Sequence, residues 1–287
     1  MENNILFNIQ RSFKEFDIIK ARFGIYKDTP ENRRLHRVGV KYGIRKDSEE
    51  DFDTRERHSV DGKYSAYRSK IHKAIFDKIV EGVKPQEHPT VTLIMGGSAS
   101  GKGTASKYFR DLEKEKIGAH LDVDEIKKML PEYNKFKPIN AAGNVHEESS
   151  DIGKHIRNHL IENKMNFVND ATFSNKDKAV KLIKKLKEAG YKINLIAITT
   201  DIDEAKRREH IRFLRTGRHV PRKILEQAHI GGTETYVVAK DLVDNYMLAD
   251  NNNGKDEPPT IVDTKKEGIV NKKNYEKFLN KANYGKG

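Results

Sequence analysis

The run Gly96-Gly97-Ser98-Ala99-Ser100-Gly101-Lys102 fits the pattern G-x-x-x-x-G-K. Thr90 to Met95 before it reads as a short strand buried on both sides, and Ala105 to Lys116 after it reads as a helix. In that setting the glycines let the backbone wrap a phosphate, the loop amides and helix N-terminus point at it, and the Lys102 ammonium reaches the outer phosphates. The position after the lysine, where Ser or Thr usually meets Mg²⁺, is Gly103, and Thr104 follows. Thr104 is therefore expected on phosphate, with the metal beside it through water or held elsewhere.

Three further groups of residues could act on such a phosphate. His120-Leu121-Asp122-Val123-Asp124 closes a second apolar run and opens a helix. At the carboxyl edge of a parallel sheet, Asp124 could take the proton of an attacking hydroxyl and aim it at the γ-phosphate, or simply cap the helix. Asp122 is either a second catalytic carboxylate or a structural one. Asp170 ends Asn166-Phe167-Val168-Asn169-Asp170-Ala171-Thr172, where a carboxylate could order Mg²⁺ or start a turn, with Thr172 in support. Arg208, Arg212 and Arg215 recur at helical spacing, and Arg218 follows a glycine that can hinge a loop. Such forks stabilise charge on a phosphoryl group in transfer, whereas Arg207 is expected to face away.

These residues require a scaffold that alternates strand and helix. Strands are expected at Thr90–Met95, His120–Asp122, Met165–Asn169, Ile193–Thr199 and Tyr246–Ala249, with a short pair around Thr260 to Asp263. Helices are expected at Asp124–Leu130, Ser149–Asn163, Lys176–Ala189, Ile202–Leu214 and Lys273–Ala282. The fold class is thus α/β, a parallel sheet with helices on both faces. Residues 1–88 form a basic, mainly helical N-terminal extension, and residues 89–287 the phosphate-binding domain. The extension holds amphipathic pieces at Phe7 to Phe23 and at Tyr64 to Val80. The second piece sets Ile71, Ile75 and Ile79 on one face, and Lys27 to Asp61 between them reads as loop or partner-dependent arm.

The 287 residues carry 55 Lys+Arg against 43 Asp+Glu, a formal charge of +12 that favours polyanionic partners. The absence of cysteine excludes disulfides, thiolate metal sites and a Cys nucleophile. No apolar run nears the ~18 residues of a membrane span, and the opening residues lack a secretory pattern. A cytoplasmic protein without membrane attachment is the expectation.

The order of these pieces resembles the zeta toxin family of P-loop small-molecule kinases over roughly residues 90 to 255. The resemblance rests on GGSASGKGT, LDVDEI, the VHEESSDIGKHIRNHLIENKMNFVNDAT block, TGRHVP and LADNN. It implies ATP and Mg²⁺ as cofactors and Lys102 as the P-loop lysine. It likewise implies Asp124 as the base and Arg208 and Arg218 as phosphate-clamping arginines; Arg212, on the same helical face as Arg208, is expected on the nucleotide. Asp250 and Asn251 resemble the end of the last core strand, near the adenine. The family phosphorylates UDP-N-acetylglucosamine and is restrained by an antitoxin, which implies a small-molecule hydroxyl acceptor and an antitoxin partner. The substrate wall departs from the family's pattern. Lys154 stands where the UDP-sugar enzymes have a helical glutamate, Asp170 replaces a strand-end glutamate, and Ser174 replaces an arginine. Glu147, Glu148, Ser149 and Ser150 either remake acceptor contacts or cap a helix. Two alternatives stay open: a kinase of nucleic-acid ends or a dinucleotide, and a nucleotide-binding module without turnover.

Overall fold

The computed structural model describes residues 53–103, 118–134, 142–216, 220–253 and 257–285. The expected pieces at Phe7 to Phe23 and Ala105 to Lys116, most of the Lys27 to Asp61 stretch, Thr104, Arg218 and the Arg215 side chain lie outside them. The described residues fall into two compact units, one within Met1–Ile79 and Val123–His155, the other within Val80–Asp122 and Ile156–Gly287.

In the first unit, α1 (Thr54–His58) starts at Asp53, whose carboxylate accepts from the Arg55 and Glu56 amides. Strands β1 (Ser59–Val60) and β2 (Lys63–Tyr64) pair antiparallel across Asp61-Gly62. Both turn residues have positive φ, the geometry for which Asp-Gly is favoured in two-residue hairpins. Helix α2 (Ala66–Val80) buries Arg68, Ile71 and Ile75 on one face. Helix α3 (Val123–Met129) and a 3₁₀ turn at Pro131–Asn134 follow, then α4 (His146–Glu162).

The centre of this unit is ionic. Arg68, 0% exposed, donates two parallel hydrogen bonds to Glu132 at 2.8 and 2.9 Å, and reaches Glu148 through Nε and Nη2. His58 lies 3.2 Å from Glu132, and His72 lies 2.6 Å from Glu148. Burial alone would raise the Glu148 carboxyl, but Arg68 and His72 overcome it and hold the group at about 2. Glu132 is likewise depressed, burial being outweighed by His58 and Arg68. Burial pushes the His58 imidazole down. Neither expectation for Glu148, an acceptor contact or a helix cap, describes this role. The glutamate is a counter-ion for a buried arginine.

The second unit carries a seven-stranded sheet. Its strands are β3 (Thr90–Met95), β4 (Ala119–Asp122), β5 (Phe167–Ala171), β6 (Lys192–Thr199), β7 (Asn245–Asp250), β8 (Thr260–Thr264) and β9 (Gly268–Ile269). They lie in the order β4-β5-β3-β6-β7-β8-β9; the first five run parallel, and β8 pairs antiparallel with both β7 and β9. Strand β3 is therefore central, and Val91, Leu93, Ile94 and Met95 are all buried, as a strand covered on both faces requires. Helices α5 (Lys176–Glu188), α6 (Ile202–Thr216), α7 (Arg222–Ala239) and α8 (Lys272–Asn280) flank it.

Helix α5 shows how local sequence sets these elements. The Asn175 side chain caps it by accepting from the Lys178 amide, and Ala179, Ile183 and Leu186 form its buried stripe. At its end Tyr191 packs edge-on against Phe167 with ring centroids 5.7 Å apart. The parallel core of the sheet, the segments that form its strands and most flanking helices agree with the sequence expectation, which gave no order for the strands and did not include helix α7.

Candidate functional site

The glycine-rich loop leaves the carboxyl end of central β3. Its shape depends on two left-handed residues, Ala99 at φ +60° and Gly101 at φ +87°. For Gly101 this geometry is free, and no larger residue fits there. A Cβ would stand 2.0 Å from Asn251 Nδ2. For Ala99 the same geometry costs about 1–2 kcal/mol, so something must hold it.

Four of the loop's carbonyls are tied back into the protein. Gly96 O accepts from Lys102 Nζ at 2.9 Å, and Gly97 O from the Ser100 amide at 3.2 Å. Ser98 O accepts from His229 Nε2 at 2.9 Å, and Ser100 O from Asn251 Nδ2 at 2.9 Å. In a trans peptide the N–H points opposite the C=O, so turning the carbonyls into protein donors turns the following amides the other way. That is the arrangement of an anion cradle. The Ser100 hydroxyl is buried with no hydrogen-bond partner among the described residues, an orphan that a phosphate oxygen would satisfy.

Lys102 Nζ lies 3.8 Å from Asp170 Oδ1. Asp170 sits on β5 in register with Ile94 of β3 on one side and Asp122 of β4 on the other. Two neighbouring strands thus carry carboxylates at matching positions near the edge of the sheet. Hard oxygen donors of this kind suit Mg²⁺, which takes one or two carboxylates and completes its shell with phosphate and water. Among the described residues no cluster of three His, Cys, Asp or Glu side chains could hold a metal ion by itself.

The arginine helix contributes from the same unit. Arg212 Nη2 donates to Ser98 Oγ at 3.3 Å, so this side chain reaches the loop. Arg208 donates from Nη2 to Asn251 O at 2.7 Å and from Nε to Glu204 at 2.7 Å. Arg207 pairs with Glu204 on the exposed side, as expected from the helical spacing. The structure therefore brings together Gly96 to Lys102, Asp170, Arg208, Arg212 and Asn251. Asp124 belongs to the other unit, in the first turn of α3 two residues beyond Asp122, where Lys127 Nζ lies 2.9 Å from Oδ1. Thr172 Oγ1 lies 3.4 Å from Ser174 Oγ, and Lys154 is exposed on α4.

Two groups around the loop carry no local sequence signal. His229, on α7, is 4% exposed; burial drives its pKa down to about 4, with Lys281 and Lys102 adding to the effect, so the ring is neutral near pH 7. A neutral ring that donates from Nε2 must carry its proton there. Lys281 is buried below the ends of β6 and β7, donating to Thr199 Oγ1 and Thr200 O, and burial lowers its pKa to about 8. Asp250, raised by burial, accepts from the Asn252 amide, and Asn252 accepts from Thr200 and Asp201. This network fixes the segment from which Asn251 reaches the loop.

A family model described as Zeta toxin matches residues 73–255. Among solved structures, the native AvrRxo1-ORF1:ORF2 complex is similar at 18% identity and TM-score 0.62, over 78% of this chain and 76% of that one. The same pair crystallised with ATP is similar at 18% identity and TM-score 0.59, over 76% and 74%. The PezAT toxin–antitoxin system of Streptococcus pneumoniae is similar at 16% identity and TM-score 0.55, over 72% of this chain and 83% of that one. No curated protein matches in sequence.

Proposed function

The chain belongs to the zeta toxin family, a branch of P-loop kinases, and from that membership we propose that it transfers the γ-phosphate of ATP to a hydroxyl of a small metabolite. The observation that carries this reading is the loop at Gly96 to Gly103. Four of its carbonyls are tied back, its Ser100 hydroxyl is an unsatisfied buried group, and its Lys102 stands beside Asp170. On this reading the loop amides hold the phosphates, joined by Thr104 at the start of the following segment. Asn251 and Arg212 fix the nucleotide side, and Arg208 and Arg218 neutralise the charge that develops in transfer.

Mg²⁺, when bound, would neutralise phosphate charge, with Asp170 and Thr104 as the residues to hold it. Asp124 accepts the acceptor's hydroxyl proton, and Lys127 keeps that carboxylate in place beforehand. The acceptor is a small metabolite, a nucleotide sugar such as UDP-N-acetylglucosamine being the family's expectation. Lys154, Asp170 and Ser174 stand where the resemblance expects other residues on that wall. The biological setting would be a cytoplasmic toxin restrained by an antitoxin protein. AvrRxo1-ORF1 and PezAT, each described as part of a complex or a toxin–antitoxin system, support that partner class. No helix among the described residues is long and apolar enough to cross a membrane.

The test is mass spectrometry of a bacterial metabolite extract, with UDP-N-acetylglucosamine run separately, after incubation with ATP, Mg²⁺ and either wild-type protein or Asp124→Ala. A new phosphate on one metabolite, lost with the variant, is expected. Transfer that survives Asp124→Ala removes the assigned base, and no transfer to any small molecule removes the metabolite-kinase reading.

A further inference from the structure

The shape of the phosphate loop depends on a side chain some 130 residues away in sequence. We propose that His229 is a positioning residue for phosphate binding, holding the Ser98–Ala99 peptide with its carbonyl outward and the Ala99 amide turned into the cradle. The inference rests on the ATP-binding reading above and deepens it, because nothing in the P-loop motif itself specifies a histidine on a distant helix.

Three observations carry it. The carbonyl that His229 captures belongs to the peptide immediately before Ala99, the one non-glycine loop residue among those described with positive φ. That residue can leave its strained conformation by rotating the 98–99 peptide, which would swing the Ser98 carbonyl toward the phosphate and the amide away. A donor on Ser98 O opposes this rotation directly. Second, the imidazole fills the space over the loop. A Cβ on Gly97 would stand 2.4 Å from the ring, so ring and loop backbone are in close contact. Third, α7 cannot drift away. A Cβ on Gly231 would stand 2.1 Å from Ser174 O, and Leu225, Ala228 and Tyr236 are buried on the same helix. The Tyr236 hydroxyl is further fixed by Asp263 at 3.0 Å.

The same helix thus bears on two parts of the site. His229 meets the phosphate loop, and Gly231 meets the segment just after Asp170. Only a neutral ring protonated on Nε2 serves without adding a third cation beside Lys102 and Lys281, which fits its environment.

The experiment measures binding of a fluorescent ATP analogue and of inorganic tripolyphosphate, with Mg²⁺, to the full chain as wild type, His229→Ala, His229→Gln and the double variant Ala99→Gly/His229→Ala. His229→Ala should weaken both probes by about ten-fold or more. His229→Gln, which keeps a donor at similar reach, should stay within about three-fold of wild type. Glycine adopts positive φ without strain, so Ala99→Gly should restore most of the affinity lost in His229→Ala. That rescue separates positioning from folding, because relieving strain in the loop does nothing for a collapsed α7. Wild-type-like binding by His229→Ala, or a double variant as weak as the single one, overturns the proposal while leaving the nucleotide reading intact. A wild-type protein that takes up neither probe overturns both.

Discussion

Arg68 and His229 are both basic side chains sealed from water, and the two units treat them in opposite ways. Arg68 keeps its charge and is matched by two carboxylates, each also touching a histidine. His229 gives up its charge and makes a single neutral hydrogen bond to a backbone carbonyl. The difference follows from the groups themselves. A guanidinium cannot shed its proton, so burial must bring acids with it, whereas an imidazole can neutralise for a modest cost. The loop site also gains from neutrality, since a charged ring there would sit beside Lys102 and Lys281. One unit uses buried charge to join distant segments, and the other removes charge where an anion is to be held by backbone.

The most forceful way to break this comparison is Arg68→Met, which strands Glu132 and Glu148 without their counter-ion. We expect a loss of about 3–5 kcal/mol in urea unfolding; a loss below about 1 kcal/mol would mean that the ionic centre stabilises no more than a surface pair.

The second test is pH. The folded pKa of His229 lies below its unfolded value of 6.5, so the unfolded chain takes up the proton first. Its contribution is complete above pH 6.5 and falls away as pH drops toward 4, by about 3 kcal/mol in all. Glu148 is depressed instead, so its contribution is complete above pH 4.5 and is lost only as pH falls from there toward 2. Urea unfolding of wild type minus His229→Gln, from pH 7.5 to 4, should show the first window. Lys102 and Lys281 both face the ring; Lys281, lowered by burial only to about 8, stays cationic through most of that range, and a flat difference would contradict a neutral buried ring.

Gly97→Ala sharpens the contact between ring and loop. The added methyl must displace the imidazole, and we expect about 1–3 kcal/mol of destabilisation together with weaker nucleotide binding. Smallest, and outside both regions, Asn175→Ala removes the α5 cap at about 1 kcal/mol by thermal melting, with nucleotide affinity unchanged. Altered affinity there would mean that α5 reports on the site more strongly than its contacts suggest.

What could be read from the sequence follows the range over which each signal acts. The loop glycines, Lys102 and the carboxylate near the end of β5 are specified by neighbours within a few residues, and all three were legible. Strand β5 was expected two residues early because Met165 and Asn166 look as strand-like as the residues that replace them. Helix α7 was missed for a physical reason. Its Gly231-Gly232-Thr233 and Val237-Val238 disfavour an isolated helix, and Gly231 is there because the helix packs on the Ser174 carbonyl. The partners of Arg68 are 64 and 80 residues away, so nothing local to it marks its charge as buried. His229 had no motif around it at all. Its role exists only once the fold brings α7 beneath the loop.

The seven-stranded sheet ends, among the described residues, on two very short strands: β4 with four residues on one side and β9 with two on the other. Edge strands this short offer little unpaired ladder to a foreign strand, one of the devices by which proteins discourage edge-to-edge pairing. Recognition by strand addition at these edges would have a ladder of only four residues at β4 and two at β9 to pair with.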